Sequence, residues 1–336
     1  MVLLMSKKKE PKVSVVIVNF NYGRFIEDAI QSALGQTYPN IEVIVVDDGS
    51  TDNSREIIQK YAMSNKVTAI MKENGGVASA MNTGFSASSG DLVMFLDSDD
   101  VLKPQAIEVA VKAWYPGVSK VQWRQKVVDE NLKPMGYCLP PLNSRLLSGD
   151  ISKLVGRWLQ YPSSLQSANL YSRSFLTRAL PLDEKEWRSY ADMPLIMSSP
   201  FCGDVVSLPQ VLGLYRVHGK NLTGISFDLT PEKIKKNLEL LRKTKAFIIH
   251  HFPEKKNALA VIGYDERKQL LVYDMQTGGK LRYIGRLAIG IGGAIDSLSF
   301  PFFTSMKKRL GAVLWFLLVG LLPKSIAKMV VSTTVH

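Results

Sequence analysis

The first hundred residues predict an α/β fold built on a mostly parallel sheet with helices on its faces. Apolar runs of strand length alternate with stretches of helical period, and each run ends in polar loop chemistry at its carboxyl end. In addition, Asp97, Asp99 and Asp100 crowd the end of one run. The edge beyond the carboxyl ends of parallel strands is where ligands bind in such sheets.

Val13–Val18 is β-branched apart from Ser14 and reads as a buried strand, followed by a turn-forming loop, Asn19–Gly23. Phe25, Ile26, Ala29, Ile30, Ala33 and Leu34 then fall at helical spacing, and Gly35 and Pro39 end that helix. Ile41–Val46 is a second strand closing in Asp47 and Asp48, and its helix carries Ile57, Ile58 and Tyr61 on one face. Val67–Met71 reads as a third strand. After Asn74, Gly75 and Gly76 a helix over Val77–Ala87 leads into a fourth strand, Leu92–Leu96.

The Asp97–Asp100 cluster that ends this strand has two readings. It fits a turn or N-cap that starts a helix over Leu102–Ala113. It also fits a divalent metal site, because clustered carboxylates repel unless a cation lies among them, and oxygen ligands suit Mg²⁺ or Mn²⁺. The spacing alone leaves both open. No Gly-x-Gly-x-x-Gly follows the first strand and no Gly-x-x-x-x-Gly-Lys-Ser is present, which disfavours a dinucleotide fold or an ATP P-loop.

Downstream, Val121–Val128 reads as a strand closed by a turn at Asn131–Lys133, and Pro140–Pro162 is mixed, with an amphipathic segment around Ile151–Leu159. The net charge of +12 is concentrated late. From Pro231 to His336 there are 13 Lys and 5 Arg against 7 acidic residues. That third also carries long apolar stretches, which favours a membrane surface over nucleic acid as partner. Cys138 and Cys202 show neither metal spacing nor a disulfide framework, as in a reducing compartment. Met1–Met5 is too short for a signal-peptide core and its positive residues, Lys7–Lys9, follow it, so it reads as a loose anchor or as a start at Met5.

VSVVIVNFN, SALGQTYPN, IEVIVVDDGSTDNS, ENGGVASAMNTGF and SGDLVMFLDSDDVL, in this order, resemble the nucleotide-sugar-binding half of glycosyltransferase family 2, with the GT-A fold. The absence of a Gln-x-x-Arg-Trp motif and of any set of membrane spans in the sequence argues against a processive synthase, and the resemblance implies an inverting, metal-dependent transferase. It takes one sugar from a nucleotide-diphospho-sugar, expected to be a UDP-sugar, and passes it to a lipid-linked glycan or a related polysaccharide or glycolipid at the cytoplasmic face of a membrane. It also assigns residues. Val18, Asn19, Phe20, Asn21 and Asp48 would hold the nucleobase, joined on the donor by Asn74, Gly76, Asp97 and Ser98. Asp99 would bind Mn²⁺ or Mg²⁺. WRSYADMPL puts Asp192 where the family carries its general base, with Ala191 in place of the usual Glu and with Asp183 and Asp204 as weaker alternatives. LPQVLGLYRVHGKNLTG matches the family's closing segment, so His218 would be a second metal ligand, with Arg216 and Lys220 near the diphosphate. Where the family often carries Arg-Asn this chain has Met81 and Asn82, so the Arg is lacking. The rival from another class is a membrane-bound scaffold that keeps the nucleotide-sugar pocket without turnover.

The resulting plan is a tail over 1–12 and a GT-A domain over 13–226, split into a donor half (13–102) and an acceptor half (103–226). Basic amphipathic helices follow over 227–280, notably Pro231–His251 and Ala258–Tyr273, and then an apolar, basic region over 281–336. In that region Leu287–Ile295, Phe300–Phe303 and Leu310–Leu322 are the apolar stretches. Leu310–Leu322 is shorter than the ~20 residues of a full span. A helical hairpin lying at an anionic lipid surface is expected there, with a true span or a homo-oligomeric contact as alternatives.

Overall fold

The computed structural model describes residues 10–219, 221, 230–259, 262–278, 281, 283–299 and 305–334. Two units divide the chain: Met1–Ile151 with Pro162–Thr223, and Ser152–Tyr161 with Gly224–His336.

The first unit opens as its periodicity predicts. In order come β1 (Val13–Asn19), α1 (Ile26–Leu34), β2 (Ile41–Asp48), α2 (Ser54–Met63), β3 (Thr68–Lys72), α3 (Val77–Ala87) and β4 (Leu92–Asp97). β1 pairs in parallel with β2 and with β4, and β2 pairs in parallel with β3. All seven residues of β1 are buried, which explains why its run is apolar but for Ser14 and Asn19 and does not alternate. Val15 and Ile17 share a core with Ile26, Ala29, Ile30 and Ala33 of α1.

Past β4 come β5 (Val101–Leu102), α4 (Ala106–Lys112), β6 (Val118–Val128), β7 (Pro134–Leu139), α5 (Ser152–Trp158, in the second unit), β8 (Asn169–Ser172), α6 (Arg173–Ala179), α7 (Asp192–Ser198) and β9 (Asp204–Arg216). The sheet order is β3-β2-β1-β4-β8-β6-β9-β5, with β7 beside β6. The sheet is parallel in the donor half and mixed beyond it. β8 runs antiparallel to β4 and β6, and β5 antiparallel to β9, whereas β6 and β9 are parallel.

The helix expected from Leu102 begins instead at Ala106. Pro104 disfavours helical backbone at Lys103, and Val101 and Leu102 pair with Leu214 and Gly213 of β9.

In the second unit α8 (Pro231–His251) has the expected bounds, capped by the Thr230 hydroxyl with a proline in the first turn. The next helix, α9 (Tyr264–Gln276), starts later than the predicted Ala258, because Pro253–Ala258 forms a 3-10 turn. α10 (Tyr283–Ser299), α11 (Met306–Leu321) and α12 (Lys324–Thr334) complete it. Trp158, Ile234, Leu238, Tyr264, Leu271, Phe316 and Val331 share one core. The stretches 227–280 and 281–336 therefore form one body, joined by α5, which the sequence assigns to the catalytic half. The tail over 1–9, Lys220 and Phe300–Phe303 lie outside the described residues.

Candidate active site

β4 ends beside β1, with Asp97 in register with Val18, and the chain turns sharply as the Asp100 amide donates to the Asp97 carbonyl at 3.1 Å. Ligand oxygens of Asp97, Asp99 and Asp100 lie within 4.8 Å of one another. The short β5 ties this turn to the carboxyl end of β9, which carries Arg216 and, just beyond it, His218. Two segments more than a hundred residues apart thereby meet: His218 Nε2 lies 2.9 Å from Asp99 Oδ2.

The three carboxylates play different parts. Asp100 is not a helix cap. Its Oδ1 accepts the Arg216 amide at 3.0 Å and its Oδ2 accepts from Gln125 Nε2 at 3.2 Å, so it anchors the end of β9. Burial, with the Asp99 charge next, pushes its carboxyl up to about 8. Asp97 is held by Gln166 and Ser167 from the turn before β8, and burial followed by the charges of Asp99, Asp100 and Asp192 raises it well above the usual range. Asp99, with His218 against it and Asn221 Nδ2 at 3.5 Å, offers the freer oxygens.

The Asp99 carboxylate and the His218 imidazole, in a cluster of three carboxylates whose like charges already favour protons, form a donor set that fits Mn²⁺ or Mg²⁺. The Ser98 hydroxyl is buried there with no hydrogen-bond partner among the described residues, which leaves it for a ligand.

Tyr22, which the sequence shows only as part of a turn-rich loop, packs edge-on to His218 with ring centroids 5.2 Å apart. Burial and the charges of Asp99 and Asp97 raise its phenol.

The loops after β1 and β2 are laced together. Asn19, buried, donates to Asp47 Oδ1 at 2.9 Å and to Ser50 Oγ at 3.1 Å. Asn21, at φ 56°, accepts the Thr51 amide at 2.7 Å. Val18 is buried, whereas Phe20 is 45% exposed and offers its ring as a flat apolar face. Asp48 accepts from Lys72 Nζ at 2.8 Å and from the amides of Gly75 and Gly76 at 2.9 and 2.7 Å, and its carbonyl accepts from Asn74 Nδ2. It thus shapes the Asn74–Gly76 loop. Gly76 has φ +92°, and a Cβ there would meet Arg188 Cγ at 2.5 Å. Lys72 is the residue missed here. Its register opposite Asp48 at the end of β3 is the only sequence signal for it.

Asp192 begins α7. Its segment is tied to α3: the Asn82 side chain donates to the Leu182 carbonyl and accepts the Leu182 amide, both at 2.9 Å, and the Val77 amide donates to the Arg188 carbonyl. Asn82 is therefore a structural tie. Burial raises the Asp192 carboxyl, opposed by its own amide, that of Met193 and the charge of Lys120. Lys120 is fully buried on β6, with Nζ 3.0 Å from Gln122 Oε1.

The alternative bases are engaged elsewhere. Asp183 accepts the amides of Lys185 and Glu186, and Asp204, at the start of β9, accepts the Tyr115 hydroxyl. The Arg216 side chain, expected at a diphosphate, is instead 2.7 Å from Asp28, donates to the Glu130 carbonyl at 3.1 Å and lies 4.3 Å from the centre of the Phe25 ring. Its backbone, through Asp100, is what serves the cluster.

A mixed α/β sheet with an aspartate cluster at the carboxyl end of β4 is the arrangement that the resemblance to the GT-A fold implies. The family model for glycosyl transferase family 2 matches residues 14–173. An uncharacterized glycosyltransferase of Nostoc sp. is 34% identical over 264 residues, 77% of this chain and 79% of its own. Among solved structures, TarS of S. aureus (residues 1–349, in complex with UDP) aligns with a TM-score of 0.54 at 17% identity, over 91% of this chain and 90% of its own. The mannosyltransferase PcManGT of Pyrobaculum calidifontis, with GDP-Man and Mn²⁺, aligns with a TM-score of 0.52 at 16% identity, over 93% and 86%. The chain belongs to glycosyltransferase family 2.

Proposed function

We propose that the protein transfers a single sugar, with inversion, from a nucleotide-diphospho-sugar to a lipid-linked glycan or a related glycan at the cytoplasmic face of a membrane, with a UDP-sugar as the expected donor. The observation that carries this reading is the contact between Asp99 and His218 beside Asp97, with the Asp192 charge felt in the same cluster. The same fold holds UDP in TarS and GDP-Man with Mn²⁺ in PcManGT, which supports the donor class.

Asp192 takes the proton of the acceptor hydroxyl as that oxygen attacks the anomeric carbon. The bond from that carbon to the diphosphate oxygen breaks and its electron pair leaves with the nucleoside diphosphate. No covalent enzyme intermediate forms. Asp99 and His218 would hold a divalent cation, which would supply positive charge against the departing diphosphate. Asp48 and the laced loops after β1 and β2 bind the nucleobase, Phe20 covers its face, and Lys72 keeps the Asn74–Gly76 loop in place.

Thermal shift of the full chain with UDP-GlcNAc or GDP-mannose, each with Mn²⁺, tests donor binding. A donor at a hundred times its Kd stabilises by about 2.7 kcal/mol. Asp99→Ala and His218→Ala are expected to lose the Mn²⁺-dependent part. Asp192→Asn is expected to keep the shift and to lose about 10²–10⁴ of nucleoside diphosphate release. Normal turnover by Asp192→Asn would remove Asp192 from its role. Donor binding by the wild type without turnover on any glycan acceptor would favour the inactive scaffold, which Ala191 in place of Glu motivates.

A further inference from the structure

α10 has two unlike faces. Arg286, Ile289, Ala294 and Ser297 are buried. α11 packs so closely on this side that a Cβ on Gly290 would meet Gly320 Cα at 2.7 Å, and one on Gly293 would meet the Phe316 ring at 2.2 Å. The other face carries Ile284, Ala288, Ile291, Ile295 and Leu298, all exposed, in an unbroken four-three-four-three spacing. Ile284 is 79% exposed and Ile295 59%. A stripe of that period on a helix whose other side is already packed is surplus to the core.

The charge around the stripe is one-sided. Residues 281–336 hold seven Lys and Arg against one acid, Asp296, and that acid is paired with Arg267 at 3.2 Å. Arg309 donates to the Leu298 carbonyl at 2.6 Å, which brings Lys307 and Lys308 to the end of the stripe, together with exposed Met306 and Leu310. A second copy would set this positive surplus against itself, whereas anionic lipid headgroups complement it. Among the described residues no helix is long and apolar enough to cross a membrane. α11, at 16 residues, reaches about 24 Å at 1.5 Å per residue, against the ~30 Å of a hydrocarbon core.

We propose that the Ile284–Leu298 stripe of α10 lies in the plane of an anionic bilayer, its apolar side chains among the acyl chains and Lys307 and Lys308 at the headgroups. The proposal rests on the membrane reading of the acceptor but not on the donor chemistry. It names the contact as one helix face, without a span.

Flotation of the full chain with vesicles tests it, comparing phosphatidylcholine alone with phosphatidylcholine containing phosphatidylglycerol. Truncation is a poor probe, because Phe316 and Val331 belong to the core of the unit. The wild type is expected to float with the anionic vesicles, less so at high salt, and to stay behind with phosphatidylcholine alone. Ile291→Glu with Ile295→Glu is expected to abolish flotation. Lys307→Gln with Lys308→Gln is expected to weaken binding by about fivefold per lysine. Met63→Glu, on exposed α2 of the other unit, is the control and floats normally. Donor-induced thermal shift measured on the same preparations separates the two readings: a stripe variant that loses flotation but keeps that shift supports the lipid contact and leaves the transferase reading intact. Unchanged flotation by the double glutamate variant would overturn the proposal. So would a wild type that self-associates in sedimentation without lipid and becomes monomeric in the stripe variant, since the stripe would then join two copies.

Discussion

After the amides of Asp192 and Met193, the charge of Lys120 helps Asp192 keep its negative charge, although burial pushes the Lys120 ammonium itself well below its ordinary range and Asp192 only partly opposes that. Burial raises the Asp192 carboxyl, and the ammonium of Lys120 is among the groups that oppose that rise. A raised carboxyl protonates above the ordinary carboxylate range, so kcat/KM is expected to fall on acidification at a pH higher than a free aspartate would give. Lys120→Met keeps the volume and removes the charge, which favours the protonated acid further. Its acid limb should therefore move to higher pH, with donor-induced thermal shift unchanged. An acid limb that stays in place would show that Lys120 does not act on the base. Lys120 was illegible in the sequence for a definite reason. Lys120, Gln122 and Arg124 alternate along β6 as a solvent-facing edge would, yet all three are buried and their polar atoms are satisfied internally. Gln122 donates to the Pro162 carbonyl and to Ser207, and Arg124 donates to the carbonyls of Pro140 and Pro209. By contrast Asp99 and His218 were legible, because their surrounding residues match a family pattern.

Among the elements, the tie between α3 and the segment leading into α7 fixes where the base sits. Asn82→Ala deletes both bonds to Leu182 and leaves that backbone pair unsatisfied, a cost of about 1–3 kcal/mol. The expected result is a lower Tm and a kcat that falls more than donor affinity, because the donor loops after β1 and β2 are untouched. Equal losses in kcat and donor affinity would show that Asn82 supports the whole sheet and not the base. The regular elements up to β4 could be read from the sequence because their apolar periodicity is unbroken. β5 and β8 could not. They are two and four residues long, too short to show a period, and only pairing with β9, β4 and β6 makes them strands. The two-residue β5 nevertheless brings Asp99 to His218, so the feature the sequence hid is the one that assembles the site.

For the molecule as a whole, the composition shift near residue 226 marks where charge and apolar content change, but the chain has already entered the second unit once, over Ser152–Tyr161. That excursion left no compositional mark, since a seven-residue amphipathic helix packs equally well on any core. Ending the chain at 226 therefore keeps every residue of the Asp99–His218 cluster and removes the partners of α5. Trp158 is 4% exposed in the full chain, and its core companions, among them Ile234, Tyr264 and Phe316, all lie beyond the cut. Returning a large apolar side chain to water costs about 1.5–3 kcal/mol, and the exposed patch invites association. The truncated chain is expected to bind a hydrophobic dye and to aggregate at concentrations at which the full chain stays dispersed, while still gaining thermal stability from Mn²⁺ and a nucleotide sugar. Trp158→Gln in the truncated chain should restore dispersion without altering that gain. A truncated chain that is dye-negative without the substitution would show that α5 finds its cover within the first unit. Loss of the donor response on truncation would place part of the donor site beyond residue 226.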